Sequence, residues 1–319
     1  MLRYLTRRLL LFVPTLFGVS LIIFLLMRVL PGDVAYAVLA GPSGEGIVTP
    51  AALETVRLRL GLDKPLHVQY VEWVTGMARF DFGNSLRDGK PVWDKIAQRL
   101  PITIELAILT AVIGTAIAIP TGTISAVYQD SLPDYVLRIV TIIGLAAPTF
   151  WIGTLVLIAL VRLFDWMPPL VYATLWQDPQ TNLQQMIWPA AGLGYHLAAV
   201  VARMTRSSML EVMRQDYIRT AWAKGLRDQV VIVRHALRNA MLPVITIIGL
   251  QFAVLLGGTV IMETIFSVPG IGRMLVDGIR FRDYATVQAG IVVFAVIILI
   301  VNLAVDVLYG WFDPRVSYK

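Results

Sequence analysis

The chain contains no cysteine, which excludes disulfides, thiolate metal ligation and thiol nucleophiles. It has three histidines, His67, His196 and His235, far apart in sequence, and no HExxH pair. There is no GxxxxGK[ST] segment to cradle nucleotide phosphates, and no GxSxG nucleophile turn. Charge is scarce as well. Only 15% of the 319 residues are Asp, Glu, Lys or Arg, against about a quarter in a soluble globular domain. The ionisable residues within the apolar runs, Arg28, Glu105 and Asp306, sit near their ends. A carrier powered by a proton or sodium gradient needs carboxylates or histidines near the midplane, and here only His196 and Gln251 are candidates there.

What replaces charge is apolar sequence. The chain is 57% hydrophobic with a mean hydropathy of +0.71, and its apolar residues fall in runs of about 20, the length that crosses a hydrocarbon core. The reading is an all-α integral membrane protein with six transmembrane helices and a partly helical periplasmic domain between the first two. The net charge of +6 follows the positive-inside rule rather than a nucleic-acid footprint. Arg3, Arg7 and Arg8 precede the first run, which is too long for a signal peptide. Both termini are expected in the cytoplasm of a bacterial inner membrane.

The expected map runs as follows. Residues 1–30 hold the cytoplasmic N-terminus and first span, and 31–100 form the outer domain. The remaining five spans occupy 101–308, and 309–319 is a cytoplasmic tail. The outer domain balances eight Lys/Arg with eight Asp/Glu. Within it, Thr49 as N-cap, Pro50 in the first turn and Gly61 as stop predict one helix, and 67–80 predict a second. The later spans are placed at 102–127, 136–163, 187–202, 242–262 and 287–308. Glu105 is expected to anchor the first turn of its helix and His196 to bond between helices. Pro189, Gly192 and Gly194 make 187–202 the most ambiguous of the spans, and it is counted because the charge pattern requires it.

One interval resists the apolar trend. Residues 203–241 carry eight Lys/Arg (Arg203, Arg206, Arg214, Arg219, Lys224, Arg227, Arg234, Arg238) against Glu211, Asp216 and Asp228. Leu210–Gly225 is expected to form a cytoplasmic helix that presents Ala221, Ala223 and Gly225, where small residues admit a close partner surface. Gly225 would end it left-handed. A basic helix lying on anionic lipid is the other reading of the same charges.

The stretch TRSSMLEVMRQDYIRTAWAKGL…RHALRNAMLPVIT closely resembles the coupling loop of inner-membrane permeases of dipeptide, oligopeptide and nickel ABC importers. Arg219-Thr220-Ala221-x-x-x-Gly225 occupies their EAA-x-x-x-G pattern, with Arg219 in place of Glu. LPGD, LGLDKPLHVQY, DFGNSL, LPITIELA, ETIFSVPGIGR and the tail VNLAVDVLYGWFDPR extend the likeness over nearly the whole chain, and the likeness is greatest to the dipeptide-permease B type.

The resemblance implies a type I ABC importer permease fold and a non-enzymatic subunit forming half of a pathway for di- or oligopeptides. The implied partners are a second permease, two cytoplasmic ATPases that bind ATP and magnesium, an extracytoplasmic substrate-binding protein and membrane lipid. No nucleic acid, cofactor or metal is expected on this chain. The ATPase-coupling residues would be Asp216, Tyr217, Arg219, Thr220, Ala221, Ala223, Lys224 and Gly225, within a helix over 216–226. Glu263, Phe266, Pro269, Gly270 and Arg273 would lie near an outer gate or binding-protein contact. The competing classes are an ion-coupled secondary transporter acting without ATPases and a membrane hydrolase. The first lacks midplane carboxylates and the second lacks a nucleophile constellation.

Overall fold

The computed structural model describes residues 2–29, 33–40, 46, 48–169 and 171–312. The tail 313–319 and the LPG of the LPGD motif lie outside them. Helices are the regular secondary structure of the described residues, apart from one isolated bridge between Asn84 and Pro91. In chain order the helices are α1 (Leu2–Val29), α2 (Val34–Ala40), α3 (Pro50–Arg59), α4 (Leu66–Ala78), α5 (Val92–Val127), α6 (Leu132–Ala146) and α7 (Thr149–Phe164). Then come α8 (Pro179–Met213), α9 (Asp216–Ala223), α10 (Asp228–Val230), a π-helical turn (Val231–Leu237), α11 (Arg238–Ile265), α12 (Ile271–Arg280) and α13 (Tyr284–Phe312).

Among the described residues four helical stretches are long and apolar enough to cross a membrane: Arg8–Val29, Val92–Val127, Asp228–Ile265 and Tyr284–Val305. A fifth arises if α6 and α7 count as one broken span. The span expected over 136–163 is therefore not one continuous helix. The chain bends by 109° between α6 and α7, because Ala147 is extended (φ −76°, ψ 129°) ahead of Pro148. Proline disfavours the α region for the residue before it. The fourth expected span lies inside α8, whose 35 residues suffice in length but fall short of the others in apolarity. The second expected span starts ten residues early, since α5 runs on through Pro101 from Val92. The expected boundary at 100/101 thus falls within a helix.

Two compact units emerge from the contacts. The first comprises Met1–Ile102 with Pro269–Ile300. Its core joins Val92 and Ile96 of α5 to Ile271, Met274 and Leu275 of α12 and Ala289 of α13, so this unit includes a return of the chain that a linear map misses. Thr49 accepts from the Ala52 amide at 3.3 Å and Gly61 takes φ +64°, giving α3 its expected cap and stop.

Asp283 is the polar hub of this unit and is 3% exposed. It caps α13 by accepting from the Thr286 hydroxyl at 2.6 Å, and it also accepts from Ser85 and from the Leu86 amide at 3.0 Å. Lys95 adds an ion pair to Asp88 at 2.8 Å. Burial pushes the Asp88 carboxyl up, but hydrogen bonds from Lys95 and Ser85 outweigh it and hold the group at about 2. Asp88 therefore stays ionised unless the pH falls from the ordinary carboxylate range towards 2.

The second unit comprises Thr103–Val268 and, among the described residues after it, 301–312. Here α5 lies against α8 along small residues, as in tightly packed membrane helices. A Cβ on Gly122 would stand 2.5 Å from the Ala202 carbonyl oxygen and 2.6 Å from Thr205 Cβ. Gly122→Val should lower the melting temperature of detergent-solubilised protein by several degrees, since overpacking costs about 1–3 kcal/mol. Gly18→Ala, where a Cβ meets nothing within 4 Å, should leave it unchanged. Equal melting of the two variants would refute the packing argument.

Two of the polar residues expected within spans make bonds between segments of the second unit. His196 Nδ1 lies 3.0 Å from the Gly144 carbonyl and so links α8 to α6. Glu105 is not in the first turn of its helix, as expected, because α5 begins at Val92 and Asp94 holds that turn; it accepts from the Tyr172 hydroxyl at 3.0 Å. Burial and the neighbouring Glu105 carboxylate both push the Tyr172 phenol up. Asp178 caps α8 by accepting from the Gln180 and Thr181 amides, each at 3.1 Å.

Candidate coupling site

The basic interval does not form one helix over 210–225, as expected. Helix α8 ends at Met213, Arg214 caps it, and Gln215 is extended (φ −75°, ψ 147°) before α9 begins. Helix α9 is eight residues long, too short to be stable alone in water, so tertiary packing must hold it. Ile218 and Ala221, one turn apart, supply that packing. They are 0% and 7% exposed, in a cluster with Met209 of α8, Val231 and Ala236 of the π-helical turn, Ala240 of α11 and Ala126 of α5. Ala221 therefore faces its own chain. This corrects the expectation that it is presented outward: at one turn from Ile218 it shares the buried stripe.

The opposite face of α9 is open. Asp216, Tyr217, Arg219, Thr220 and Ala223 are exposed, and so are Lys224 and Gly225 beyond the helix. Tyr217 accepts from Asn239 Nδ2 at 3.0 Å, and Trp222 Nε1 donates to Asp228 Oδ1 at 3.0 Å. These two bonds tie the flanks of α9 to the segments after it. The Arg219–Asp216 pair spans 3.5 Å with both side chains largely in solvent, so it contributes little to stability. The helix stops on Lys224, whose amide donates to the Thr220 carbonyl at 3.0 Å, and Gly225 then turns left-handed at φ +76°. The Leu226 amide donates back to the Ala221 carbonyl at 3.4 Å, closing a glycine-terminated helix end.

A further ion pair in this unit, between Asp134 and Arg206, is not marked by the sequence pattern. Asp134 in the first turn of α6 is 0% exposed. Arg206 of α8 donates to it through Nε at 2.9 Å and Nη2 at 2.8 Å, the Asp130 amide donates at 3.0 Å, and Ser125 adds its hydroxyl. The segment YQDSLPDY reads as a short turn leading to the next span. The available signal was Pro133 just ahead of Asp134, which places the carboxylate in the first turn of a helix.

The five residues expected near a gate divide between the two units. Glu263 and Phe266 close α11 in the second and are 0% and 2% exposed. Thr103 Oγ1 donates to Glu263 Oε1 at 2.7 Å. In the first unit Pro269 precedes α12, Gly270 is its N-cap and Arg273 lies in its first turn. Residues 263–284 are thus the end of α11, then α12, then the start of α13. The burial of Glu263 and Phe266 withdraws these two from any partner surface in this structure.

Several helices long and apolar enough to cross a membrane, with a short surface helix held on a packed base, are the build of a membrane permease subunit. Residues 118–318 match the family described as binding-protein-dependent transport system inner membrane component, and residues 1–107 match its N-terminal companion. The chain belongs to that family.

Similar proteins include the dipeptide transport system permease protein DppB of Alkalihalophilus pseudofirmus, 38% identical over 338 residues. The glutathione transport system permease protein GsiC of Escherichia coli strain K12 is 40% identical over 319 residues, and the DppB of that strain is 40% identical over 343. Each alignment covers 100% of both chains. Among solved structures the fold is similar to an amino acid ABC transporter with histidines (TM-score 0.51, 16% identity, 70% of this chain and 94% of that one). It is also similar to the MetNI methionine ABC transporter in inward-facing form (TM-score 0.54, 15% identity, 68% and 96%).

Proposed function

We propose that this chain forms half of the translocation pathway of an ATP-driven importer of short peptides, coupled to its ATPases through residues 216–226. The observation that carries this is α9: a short helix pinned by Ile218 and Ala221, with its other face open and a left-handed glycine at its end. Such a knob seats in a groove of a cytoplasmic partner and moves with it. Asp216, Tyr217, Arg219, Thr220, Ala223, Lys224 and Gly225 make the contact, while Ala221 holds the base.

In this reading the chain crosses the membrane six times with both termini in the cytoplasm. The broken pair α6–α7 is the third crossing and α8 the fourth, despite its lower apolarity. The second permease subunit completes the pathway, two ATPases bind ATP and magnesium, and an extracytoplasmic binding protein delivers cargo to the outer domain. Glu263 and Phe266 act as interior parts of an outer gate, near which Pro269, Gly270 and Arg273 also act. Peptide cargo is supported by the names of the relatives, which cover dipeptides and glutathione.

Reconstitution tests the proposal. Proteoliposomes holding this chain, its companion permease and the ATPases should take up labelled dipeptide only with binding protein outside and ATP within. Uptake by this chain alone, driven by an ion gradient, would establish the secondary-transporter reading instead.

A further inference from the structure

The second unit contains a cavity of about 760 Å³ between α5, α6 and α8 that the coupling role does not use. The volume falls within the roughly 300–1,000 Å³ of small-ligand sites. Arg206 stands in its wall, already committed to Asp134. Three further arginines line it: Arg138, Arg203 and Arg214. All three are exposed, and among the described residues none has a carboxylate within ion-pair distance. Glu211 is the one acid in the lining, so the cavity keeps a cationic excess. The rest of its wall is mixed, with hydroxyls from Thr141 and Ser207 and apolar surface from Ile142 and Leu145. That apolar surface continues along α6, where Val136, Ile139 and Ile143 are 49%, 58% and 50% exposed.

A cationic end joined to an exposed apolar strip fits an amphiphile with an anionic head. Guanidinium forks match phosphate oxygens in pairs, and basic pockets between membrane helices on the cytoplasmic side hold anionic lipid headgroups. We propose that this cavity binds one anionic phospholipid, with its phosphate between Arg138, Arg203 and Arg214 and an acyl chain along Ile142 and Leu145. The proposal rests on the topology above, which puts the arginine-rich end of α8 at the inner leaflet. A bound lipid there would wedge α6 against α8 directly above α9 in the sequence, making transport sensitive to the anionic content of the membrane.

The test uses the assembled transporter with all its subunits. Native mass spectrometry of complex extracted in mild detergent, with phosphatidylglycerol as the probe, should show one tightly retained lipid. The Arg203→Gln/Arg214→Gln variant should bind it on the order of ten- to thirtyfold more weakly. Arg206 is left in place so that Asp134 stays paired. Reconstitution in phosphatidylethanolamine with and without phosphatidylglycerol should show stimulation of uptake by the anionic lipid, reduced in the variant.

Equal retention by wild type and variant would overturn the proposal. So would displacement of the lipid by inorganic phosphate, which marks a soluble-anion site, or by dipeptide, which marks part of the pathway. The topology is read separately. With no native cysteine in the chain, Ser207→Cys should resist an impermeant maleimide added outside intact cells. Labelling from outside would defeat the topology whatever the lipid result.

Discussion

Gly225→Arg should reduce ATP-driven peptide uptake by at least about tenfold while the chain remains inserted at wild-type levels. The expectation combines two local facts. Gly225 sits at φ +76°, where a residue bearing a Cβ is disfavoured by about 1–2 kcal/mol, and a Cβ there meets no other atom within 4 Å. The substitution therefore creates no internal clash. Its cost is borne by the helix end, where the Gly225 amide donates to the Trp222 carbonyl at 2.9 Å, and by whatever docks against that end. A misplaced turn and a new long cation should both keep a partner groove from closing.

Gly225→Asn is the matching control, because asparagine tolerates the left-handed region, and it should retain most activity. Uptake in proteoliposomes, set beside co-purification of the ATPases, checks both variants. Normal uptake by the arginine variant at normal abundance would remove this helix end from the coupling contact.

Much of this architecture is legible in the residues, and the limits of that legibility are physical. Apolar runs reveal spans because lipid imposes one requirement over a fixed length, so α1, α5, α11 and α13 follow from composition. Helix α8 does not. Its stripe of Gly192, Gly194, Ala198 and Ala202 is buried against neighbours, and a helix enclosed by protein needs little lipid-facing apolarity. The break at Ala147–Pro148 was foreshadowed by the proline, but its 109° turn depends on packing that no local pattern encodes. For α9, the motif supplied the position of the helix end, whereas the direction of Ala221 required knowing which face carries Ile218. The Asp134–Arg206 pair joins residues 72 positions apart, and a single sequence contains nothing that pairs them.

That pair has the second large expected effect. Arg206→Met should lower the melting temperature of the detergent-solubilised protein by about 10 °C, because removing one partner of a buried pair costs about 3–5 kcal/mol. Asp134 would keep only the Ser125 hydroxyl and the Asp130 amide at 0% exposure. Asp134→Leu should cost less. The Arg206 side chain is 22% exposed and can swing its head group into the adjoining cavity, taking its charge to water.

The double variant Asp134→Leu/Arg206→Met should regain most of the lost stability, since it leaves no buried charge and fills the site with apolar volume. The three melting temperatures close a double-mutant cycle whose coupling energy isolates the pair. The ordering is the discriminating result: arginine variant lowest, aspartate variant intermediate, double variant near wild type. Additive losses in the double variant would mean that Asp134 and Arg206 act through separate neighbours, and the ion pair would then contribute no coupling between α6 and α8.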